Sequence, residues 1–217
     1  MIAGQKKIMK RFIIADDHAI IRYALKNILQ SAFLDVYVEE AVDAEDLLKK
    51  VMAEDWDAVI TDISMPGRSG LEILQQIRQT HPRLPVLVLS MHPEELYAVR
   101  VMKAGGSGYL KKDTAMEELV NAVNRILMGK KYIPPSIAEQ LAYSIENDSS
   151  NIPHEDLSDR EFEIAKHLAS GMSLTDISTK LSLSITTIST YRTRIMKKLN
   201  LRTNADLTLY AIEHKII

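Results

Sequence analysis

Five short apolar runs alternate with five stretches of helical periodicity between residues 11 and 129 of this 217-residue chain. The clearest runs are 12–15, 58–60 and 86–89, and polar or turn-forming residues bound each of them. Such runs are typical of strands buried on both faces, and strands that alternate with helices form a parallel sheet with right-handed crossovers. The pattern therefore predicts a doubly wound α/β domain with five parallel strands in the order 2-1-3-4-5.

The sheet pattern stops at Gly129, and two different segments follow it. Residues 130–156 contain Pro134-Pro135 and then a polar, turn-rich tract, which predicts a linker with one short helix. From residue 157 the periodicity predicts four short helices, two of them joined by a tight turn as in a helix-turn-helix. We therefore predict an α/β domain at 10–129, a linker at 130–156 and an all-α domain at 157–217.

Polar side chains at capping distance mark the start of several predicted helices. Thr114 and Ser158 each precede a Glu by three residues, which is the spacing of a capping box. Ser173 and Thr203 each precede an Asp by three residues and are expected to cap the helices that follow them.

Charge and composition limit the partners of the chain. Residues 1–156 hold 18 Lys and Arg against 23 Asp and Glu, a net charge of −5, whereas residues 157–217 hold 9 against 6, a net charge of +3. This difference indicates a basic module at the C-terminus. The chain has no cysteine, and no apolar run approaches the roughly 18 residues of a membrane span. We expect a cytoplasmic protein without membrane contact, whose residues 1–9 are a flexible lead-in.

Acidic residues follow two strands that are neighbours in the predicted sheet. Asp16 and Asp17 come directly after the first strand, and Asp62 ends the third. Because the carboxyl ends of parallel strands meet at one edge, the three carboxylates are expected to converge there. Such a cluster needs a cation, a proton or a lysine to offset its repulsion, and hard oxygen ligands suit Mg²⁺.

The fourth and fifth strands bring Ser90 and Lys112 to the same edge. A carboxylate nucleophile, a metal, a hydroxyl and an ammonium are together the parts needed for phosphoryl transfer. The alternative is a set of separate helix caps and a salt bridge. We expect His18, His81 and His92 at the surface, or in contact with metal ligands without binding the metal themselves, because none has a partner at metal-ligand spacing.

Four motifs resemble the receiver domain of bacterial two-component response regulators, which has a flavodoxin-like fold. They are Ile-Ala-Asp16-Asp17-His18, Thr-Asp62-Ile-Ser-Met-Pro66-Gly67, Leu-Ser90-Met and Gly108-Tyr109-Leu-Lys111-Lys112-Asp113. The resemblance implies that a sensor histidine kinase phosphorylates Asp62. It further implies a Mg²⁺ site made by Asp16, Asp17, Asp62 and the backbone carbonyl of Ser64, a switch made by Ser90 and Tyr109, and a phosphate contact from Lys112.

The third of the four C-terminal helices has two unlike faces. Ile188, Tyr191, Ile195 and Leu199 share the face that is expected to pack inward. The rest of the helix surface has no acidic residue and carries short hydroxyl side chains and cations, which suit DNA bases and phosphates. A merely solvated surface is the alternative. The candidate DNA contacts are Thr186, Thr187, Ser189, Thr190, Arg192, Thr193, Arg194, Lys197 and Lys198.

The C-terminal motifs resemble the LuxR-type DNA-binding domain. They are Leu-Ser158-Asp-Arg160-Glu161, Ala-Ser170-Gly171-Met-Ser and Thr187-Ile188-Ser-Thr-Tyr191-Arg192. With the receiver ahead of it, the chain resembles a response regulator of the NarL/FixJ class. The resemblance implies a transcription regulator rather than an enzyme, which binds double-stranded DNA and forms a homodimer through its last helix when phosphorylated or bound to DNA.

Two other functions fit part of the pattern. A metal-dependent phosphatase also uses acidic residues at strand ends, although the short turns leave no cap insertion. A receiver that works by dimerisation alone would not need the full set of Asp16, Asp17, Asp62 and Lys112.

Overall fold

A computed structural model describes residues 9–65, 68, 70–134, 137–138 and 153–217. The chain forms two compact units, residues 1–141 and residues 142–217. The predicted lead-in before Met9 lies outside the described residues. So does the predicted linker helix, apart from Ile137 and Ala138, which are helical. The exact bounds predicted for the linker therefore stay a prediction.

The first unit contains a five-stranded parallel sheet in the order β2-β1-β3-β4-β5. Its strands are β1 Lys10–Ala15, β2 Val36–Ala41, β3 Ala58–Asp62, β4 Val86–Ser90 and β5 Gly108–Lys111. The predicted fold class and strand order are confirmed. The register sets Ala15 beside Thr61 and Asp62 beside Leu89, so the ends of β1, β3 and β4 lie at one edge.

Five helices cover both faces of this sheet. They are α1 Ala19–Ala32, α2 Ala44–Ala53, α3 Gly70–Thr80, α4 Glu94–Lys103 and α5 Ala115–Leu127. Phe12, Ile14 and Leu110 belong to one buried cluster with apolar residues of α1 and α5. Ile13 and Val59 point to the opposite face and are also fully buried. Burial on both faces explains why these strands are continuous apolar runs instead of alternating ones.

The predicted capping box at Thr114 is wrong. The backbone of Thr114 has helical angles, φ −99° and ψ −1°, and its side chain caps no backbone N–H of α5. Its hydroxyl instead donates to the carbonyl oxygen of Lys111, 3.2 Å away. A capping residue needs an extended backbone, and Thr114 closes a turn after β5 that does not allow one.

The second unit contains four helices after a short 3₁₀ turn at Pro153–Asp156. They are α6 Asp159–Ala169, α7 Leu174–Leu181, α8 Ile185–Leu199 and α9 Asn204–Glu213. Ser158 forms the predicted capping box of α6, and Ser173 and Thr203 cap α7 and α9 as predicted. The cap at Thr203 is also a capping box, with Asp206. Ser182 joins α7 to α8 in the left-handed conformation, φ 52°, which gives the tight turn of a helix-turn-helix.

None of the helices in the described part of the chain is long and apolar enough to cross a membrane.

Candidate functional site

Three acidic side chains and one histidine meet at the carboxyl edge of the sheet. Ligand atoms of Asp16, Asp17, His18 and Asp62 lie within 4.8 Å of one another. Asp16 and Asp62 are buried, whereas Asp17 is exposed. The parallel pairing of β1 with β3 causes this convergence, because it ends both strands at the same level. The structure thus brings together the three carboxylates that the sequence indicates.

Lys112 offsets part of the charge of this acidic cluster. Its Nζ lies 2.5 Å from Oδ2 of Asp16 and 2.8 Å from Oδ2 of Asp62, and its side chain is only 7% exposed. Burial lowers the pKa of Lys112, but the charge of Asp62 and the hydrogen bonds to both acids outweigh burial and raise it. Lys112 is therefore a charged ammonium that bridges two carboxylates.

The pKa of Asp62 is raised, because burial disfavours its charged form more than the charge of Lys112 restores it. One ammonium faces two buried carboxylates, so the cluster keeps a negative charge that a cation would balance. Oδ2 of Asp16 is fully buried and contacts the ammonium of Lys112, which Asp16 shares with Asp62. The carboxylate oxygens of this cluster are hard donors that fit a divalent cation such as Mg²⁺.

Backbone amides hold the acidic side chains in place. The N–H of Ser64 donates to Oδ1 of Asp62 at 3.2 Å, and the N–H of His18 donates to Oδ1 of Asp16 at 2.9 Å. The bond from Ser64 favours the ionised form of Asp62. Both bonds arise because both acids stand at the point where a strand ends and the chain turns.

His18 is at the surface as predicted, with a side chain that is 67% exposed, but it also contacts the acidic cluster. Its Nδ1 lies 3.1 Å from Asp16 and 2.7 Å from Asp17, since His18 directly follows these residues as the N-cap of α1. His81 lies after the end of α3, and its Nδ1 is 3.0 Å from the hydroxyl of Thr80.

His92 connects the residues of the predicted switch. Ser90 ends β4, is fully buried, and accepts a hydrogen bond from the N–H of His92 at 2.9 Å. Tyr109 is also fully buried, and its hydroxyl donates to the carbonyl of His92 at 2.8 Å. The imidazole of His92 stacks on Tyr97 at 4.6 Å, and its Nε2 lies 2.9 Å from Oγ of Ser64. Sequence reasoning missed this role, because no spacing signals contacts between separate loops.

Helix α8 presents a polar surface on the second unit. Ile188, Ile195 and Leu199 are buried as predicted, and Tyr191 is only half-buried. Besides Lys198, which pairs with an acid, six candidate DNA contacts have exposed side chains on a helix that carries no acidic residue: Thr186, Ser189, Thr190, Thr193, Arg194 and Lys197. The hydroxyls of Thr190 and Thr193 donate to carbonyls four residues earlier. The lone pairs of these hydroxyl oxygens remain available to accept hydrogen bonds.

Three other candidate DNA contacts already bind within the unit. Nζ of Lys198 lies 2.6 Å from Oε2 of Glu161, which is buried. Nε of Arg192 donates to Oδ1 of Asn204 at 2.8 Å. The backbone N–H of Thr187 donates to Ser184, the N-cap of α8.

The two units match two known families of domain. Residues 12–124 match the response regulator receiver domain, and residues 155–211 match the bacterial regulatory proteins of the luxR family. The chain therefore belongs to the response regulators of the NarL/FixJ type, which join a receiver to a LuxR-type DNA-binding domain. This confirms the family that the motifs resemble.

Similar proteins cover nearly the whole chain. Response regulator UvrY of Escherichia coli O6:H1 is 36% identical over 207 residues, 95% of each chain. Response regulator GacA of Pseudomonas aeruginosa is 34% identical over 210 residues, 96% of this chain and 98% of GacA.

Solved structures of a related regulator have the same fold. The RcsB response regulator of Salmonella typhimurium matches with a TM-score of 0.66 at 28% identity, covering 94% of this chain and 98% of RcsB. An RcsB–DNA complex matches with a TM-score of 0.57 at 29% identity, with the same coverage.

Proposed function

We propose that Asp62 accepts a phosphoryl group from a sensor histidine kinase, and that this step controls the binding of α8 to double-stranded DNA and hence transcription. The observation that carries the proposal is the position of Lys112, whose ammonium bridges Asp62 and Asp16 at the carboxyl edge of the sheet. An ammonium and a cluster of acids around one carboxylate suit an acceptor of a highly charged phosphoryl group.

The transfer uses one carboxylate oxygen of Asp62 as the nucleophile. This oxygen forms a bond to phosphorus while the bond between phosphorus and the donor atom breaks, and the donor keeps the electron pair. The product is an acyl phosphate on Asp62. Lys112 neutralises charge on the phosphoryl oxygens, and the N–H of Ser64 keeps the carboxylate oriented. The ionised form of Asp62 is needed, because a protonated carboxyl is a poor nucleophile.

Asp16, Asp17, Asp62 and the backbone carbonyl of Ser64 are the groups that would hold Mg²⁺. When bound, this ion neutralises the oxygens of the phosphoryl group. Two observations support this assignment. The acidic cluster keeps a negative charge after the ammonium of Lys112 is counted, and Oδ2 of Asp16 is buried.

The switch consists of Ser90 and Tyr109. The hydroxyl of Ser90 can donate to a phosphoryl oxygen on Asp62, and moving toward it shifts the peptide of His92, which Ser90 holds. The carbonyl of the same residue, in the next peptide group, accepts from the hydroxyl of Tyr109. A change at Asp62 therefore alters the α4–β5 surface through hydrogen bonds that already exist.

Helix α8 is the proposed recognition helix in the major groove. Ser189, Thr190 and Thr193 face the bases, and Arg194 and Lys197 contact phosphates. Lys198, Arg192 and Thr187 remain candidate contacts that must first leave, or share, their present partners. One solved structure holds two RcsB dimers bound to two parallel DNAs, which supports a homodimer on DNA for this chain. Because DNA is the ligand, we place the protein in the cytoplasm, as a regulator and not a turnover enzyme.

Phosphorylation with acetyl phosphate and Mg²⁺ tests the acceptor. We expect the full-length protein to gain one acid-stable, base-labile phosphoryl group, detected by intact mass and by mobility on a phosphate-affinity gel. Asp62→Asn is expected to gain none. Asp55→Asn is the matched control, because Asp55 is an exposed acid just before β3 and is expected to leave labelling unchanged. Persistent labelling of Asp62→Asn contradicts the proposal.

A further inference from the structure

The chain just beyond α5 returns to the sheet and lies along the open side of β5. Tyr132 forms a parallel bridge with Gly108. The N–H of Tyr132 donates to the carbonyl of Ser107 at 2.9 Å, and the carbonyl of Tyr132 accepts from the N–H of Tyr109 at 3.2 Å. Both bonds satisfy backbone groups at the edge of β5, which would otherwise be open.

Side chains fix this return segment, residues 131–134, to the receiver. The hydroxyl of Tyr132 donates to Oε2 of Glu118 on α5 at 3.0 Å, and its ring packs on the buried cluster beneath α5. Burial, and then the bond to Glu118, raise the pKa of Tyr132 to about 12, so the hydroxyl keeps its proton. Nζ of Lys131 donates to the carbonyl of Gly106 at 2.5 Å.

Gly108 allows the close approach of the return segment. A Cβ at this position would lie 2.9 Å from Cβ of Tyr132 and 3.0 Å from its carbonyl oxygen. Real Cβ atoms do not tolerate such distances, so any other residue would push Tyr132 away from β5.

An unbroken series of hydrogen bonds joins the switch to this segment. Ser90 accepts from the N–H of His92 at 2.9 Å, and the carbonyl of His92 accepts from the hydroxyl of Tyr109 at 2.8 Å. The N–H of the same Tyr109 donates to Tyr132 at 3.2 Å. The return segment lies near the start of the predicted linker at 130–156, which leads to the DNA-binding unit. The linker is thus bonded near its start to the switch tyrosine itself.

We propose that Tyr132 is a positioning residue that transmits the state of Tyr109 to the interdomain segment. The inference rests on the proposed phosphorylation of Asp62. A shift of Tyr109 and β5 changes the two backbone bonds to Tyr132, and the bond to Glu118 makes the segment follow β5 and α5 as one unit. If the segment only covered the edge of β5, its bonds would be the same in the phosphorylated and unphosphorylated receiver. If it transmits the state of Tyr109, these bonds differ between the two forms.

Hydrogen exchange on the full-length protein tests this coupling directly. The protein is compared with and without acetyl phosphate and Mg²⁺, and the peptide spanning residues 128–134 is followed by mass spectrometry. We expect phosphorylation to change the exchange rate of this peptide by at least about fivefold, the lower end of usual coupling factors. An unchanged rate in protein that is shown to be phosphorylated overturns the proposal.

Variants then measure the effect on DNA binding. The probe is a 30-base-pair duplex, selected from a random pool by the phosphorylated wild-type protein. Tyr132→Ala is expected to take up phosphoryl groups as wild type does, while the ratio of DNA affinities with and without acetyl phosphate falls at least about fivefold. Tyr132→Phe and Glu118→Met remove only the side-chain hydrogen bond and are expected to lower the ratio by a smaller factor. Tyr23→Ala, which removes an exposed tyrosine of α1, is the control with an unchanged ratio.

The outcomes separate this inference from the proposed function. Loss of labelling in the wild type contradicts phosphorylation of the receiver, whereas labelled Tyr132→Ala with a full affinity ratio contradicts only the role of Tyr132. If Tyr132→Ala fails to fold, Tyr132→Phe and Glu118→Met decide, because both nearly keep the shape of the side chain and both remove its hydrogen bond. Full ratios in both of these variants overturn the proposal.

Discussion

The acidic edge of the receiver and the exposed surface of α8 place their charges in opposite ways. At the acidic edge, Asp16 and Asp62 are buried and share the ammonium of Lys112. On α8, Arg194 and Lys197 are exposed and, among the described residues, neither forms an ion pair with an acid. A buried site must be organised before its ligand arrives, because unpaired buried charge is costly. On a surface that binds DNA, the cations can stay hydrated until DNA phosphates displace the water.

The largest expected effect concerns Lys112. Lys112→Met removes the cation beside the phosphoryl acceptor, and we expect the rate of labelling by acetyl phosphate to fall by about 10²–10³-fold, as for loss of one charge-stabilising group. Lys111→Met is the matched control, because Lys111 is partly exposed and pairs with Asp113 at 3.3 Å. Equal rates for the two variants would contradict the role of Lys112. Rates are measured by phosphate-affinity gel electrophoresis.

The next prediction contrasts two neighbouring cations of α8. Lys197→Ala is expected to reduce the slope of log K against log salt for DNA binding by about 0.9, the loss of one phosphate contact. Lys198→Ala is expected to reduce it less, because Lys198 already pairs with Glu161. Fluorescence anisotropy over a range of NaCl concentrations measures both slopes. A larger reduction for Lys198→Ala would show that its ion pair opens on DNA.

The second unit is expected to lose stability as the pH falls, because of His167. Burial, and then the charges of Lys180, Lys166 and Arg160, lower the pKa of His167 to about 4. An unfolded histidine has a pKa near 6.5, so between about pH 6.5 and 4 the unfolded chain binds more protons than the folded one. The stabilisation is complete above about pH 6.5 and decreases by on the order of 1–3 kcal/mol as the pH falls to about 4.

Thermal unfolding of the full-length protein at several pH values measures this loss. His167→Gln stays neutral and is expected to flatten the pH dependence of the transition assigned to the second unit. A nuclear magnetic resonance titration that finds an ordinary pKa for His167 would contradict the explanation.

The smallest expected effect compares two residues, Thr114 and Ser158, that each precede a Glu by three positions at the start of a helix. Ser158→Ala removes a working capping box and is expected to cost about 1 kcal/mol of unfolding free energy. Thr114→Ala is expected to cost less than about 0.5 kcal/mol, because the hydroxyl of Thr114 caps nothing in α5. Denaturant titrations give both values. A larger cost at Thr114 would mean that its bond to Lys111 holds the turn after β5.

Most of the fold could be predicted from the sequence, because burial on both faces makes the core of β1, β3 and β4 a continuous apolar run. The same logic brought Asp16, Asp17 and Asp62 to one edge, since strand ends meet there whatever the side chains do. The predicted caps succeeded at Ser158 and Thr203 and failed at Thr114, because a capping motif shows residue types but not the backbone angles that it needs.

The parts that could not be predicted depend on contacts between distant segments. His92, in the loop after β4, meets Ser64 in the loop after β3 and Tyr109 on β5, and Lys198 pairs with Glu161 from another helix. Tyr132 lies in what the sequence shows as the start of a linker, with no apolar run to mark a strand. Such contacts follow from the packed structure and leave no periodic signal along the chain.

The central claim is that the charge state of Asp62 governs the DNA affinity of α8. Its most direct test is the affinity of the full-length protein for the selected duplex, measured by anisotropy with and without acetyl phosphate and Mg²⁺, in wild type and in Asp62→Asn. We predict that the donor raises the affinity of wild type by at least about fivefold and leaves that of Asp62→Asn unchanged. A wild-type protein that is phosphorylated without a change in affinity, or an equal response from Asp62→Asn, would contradict the claim.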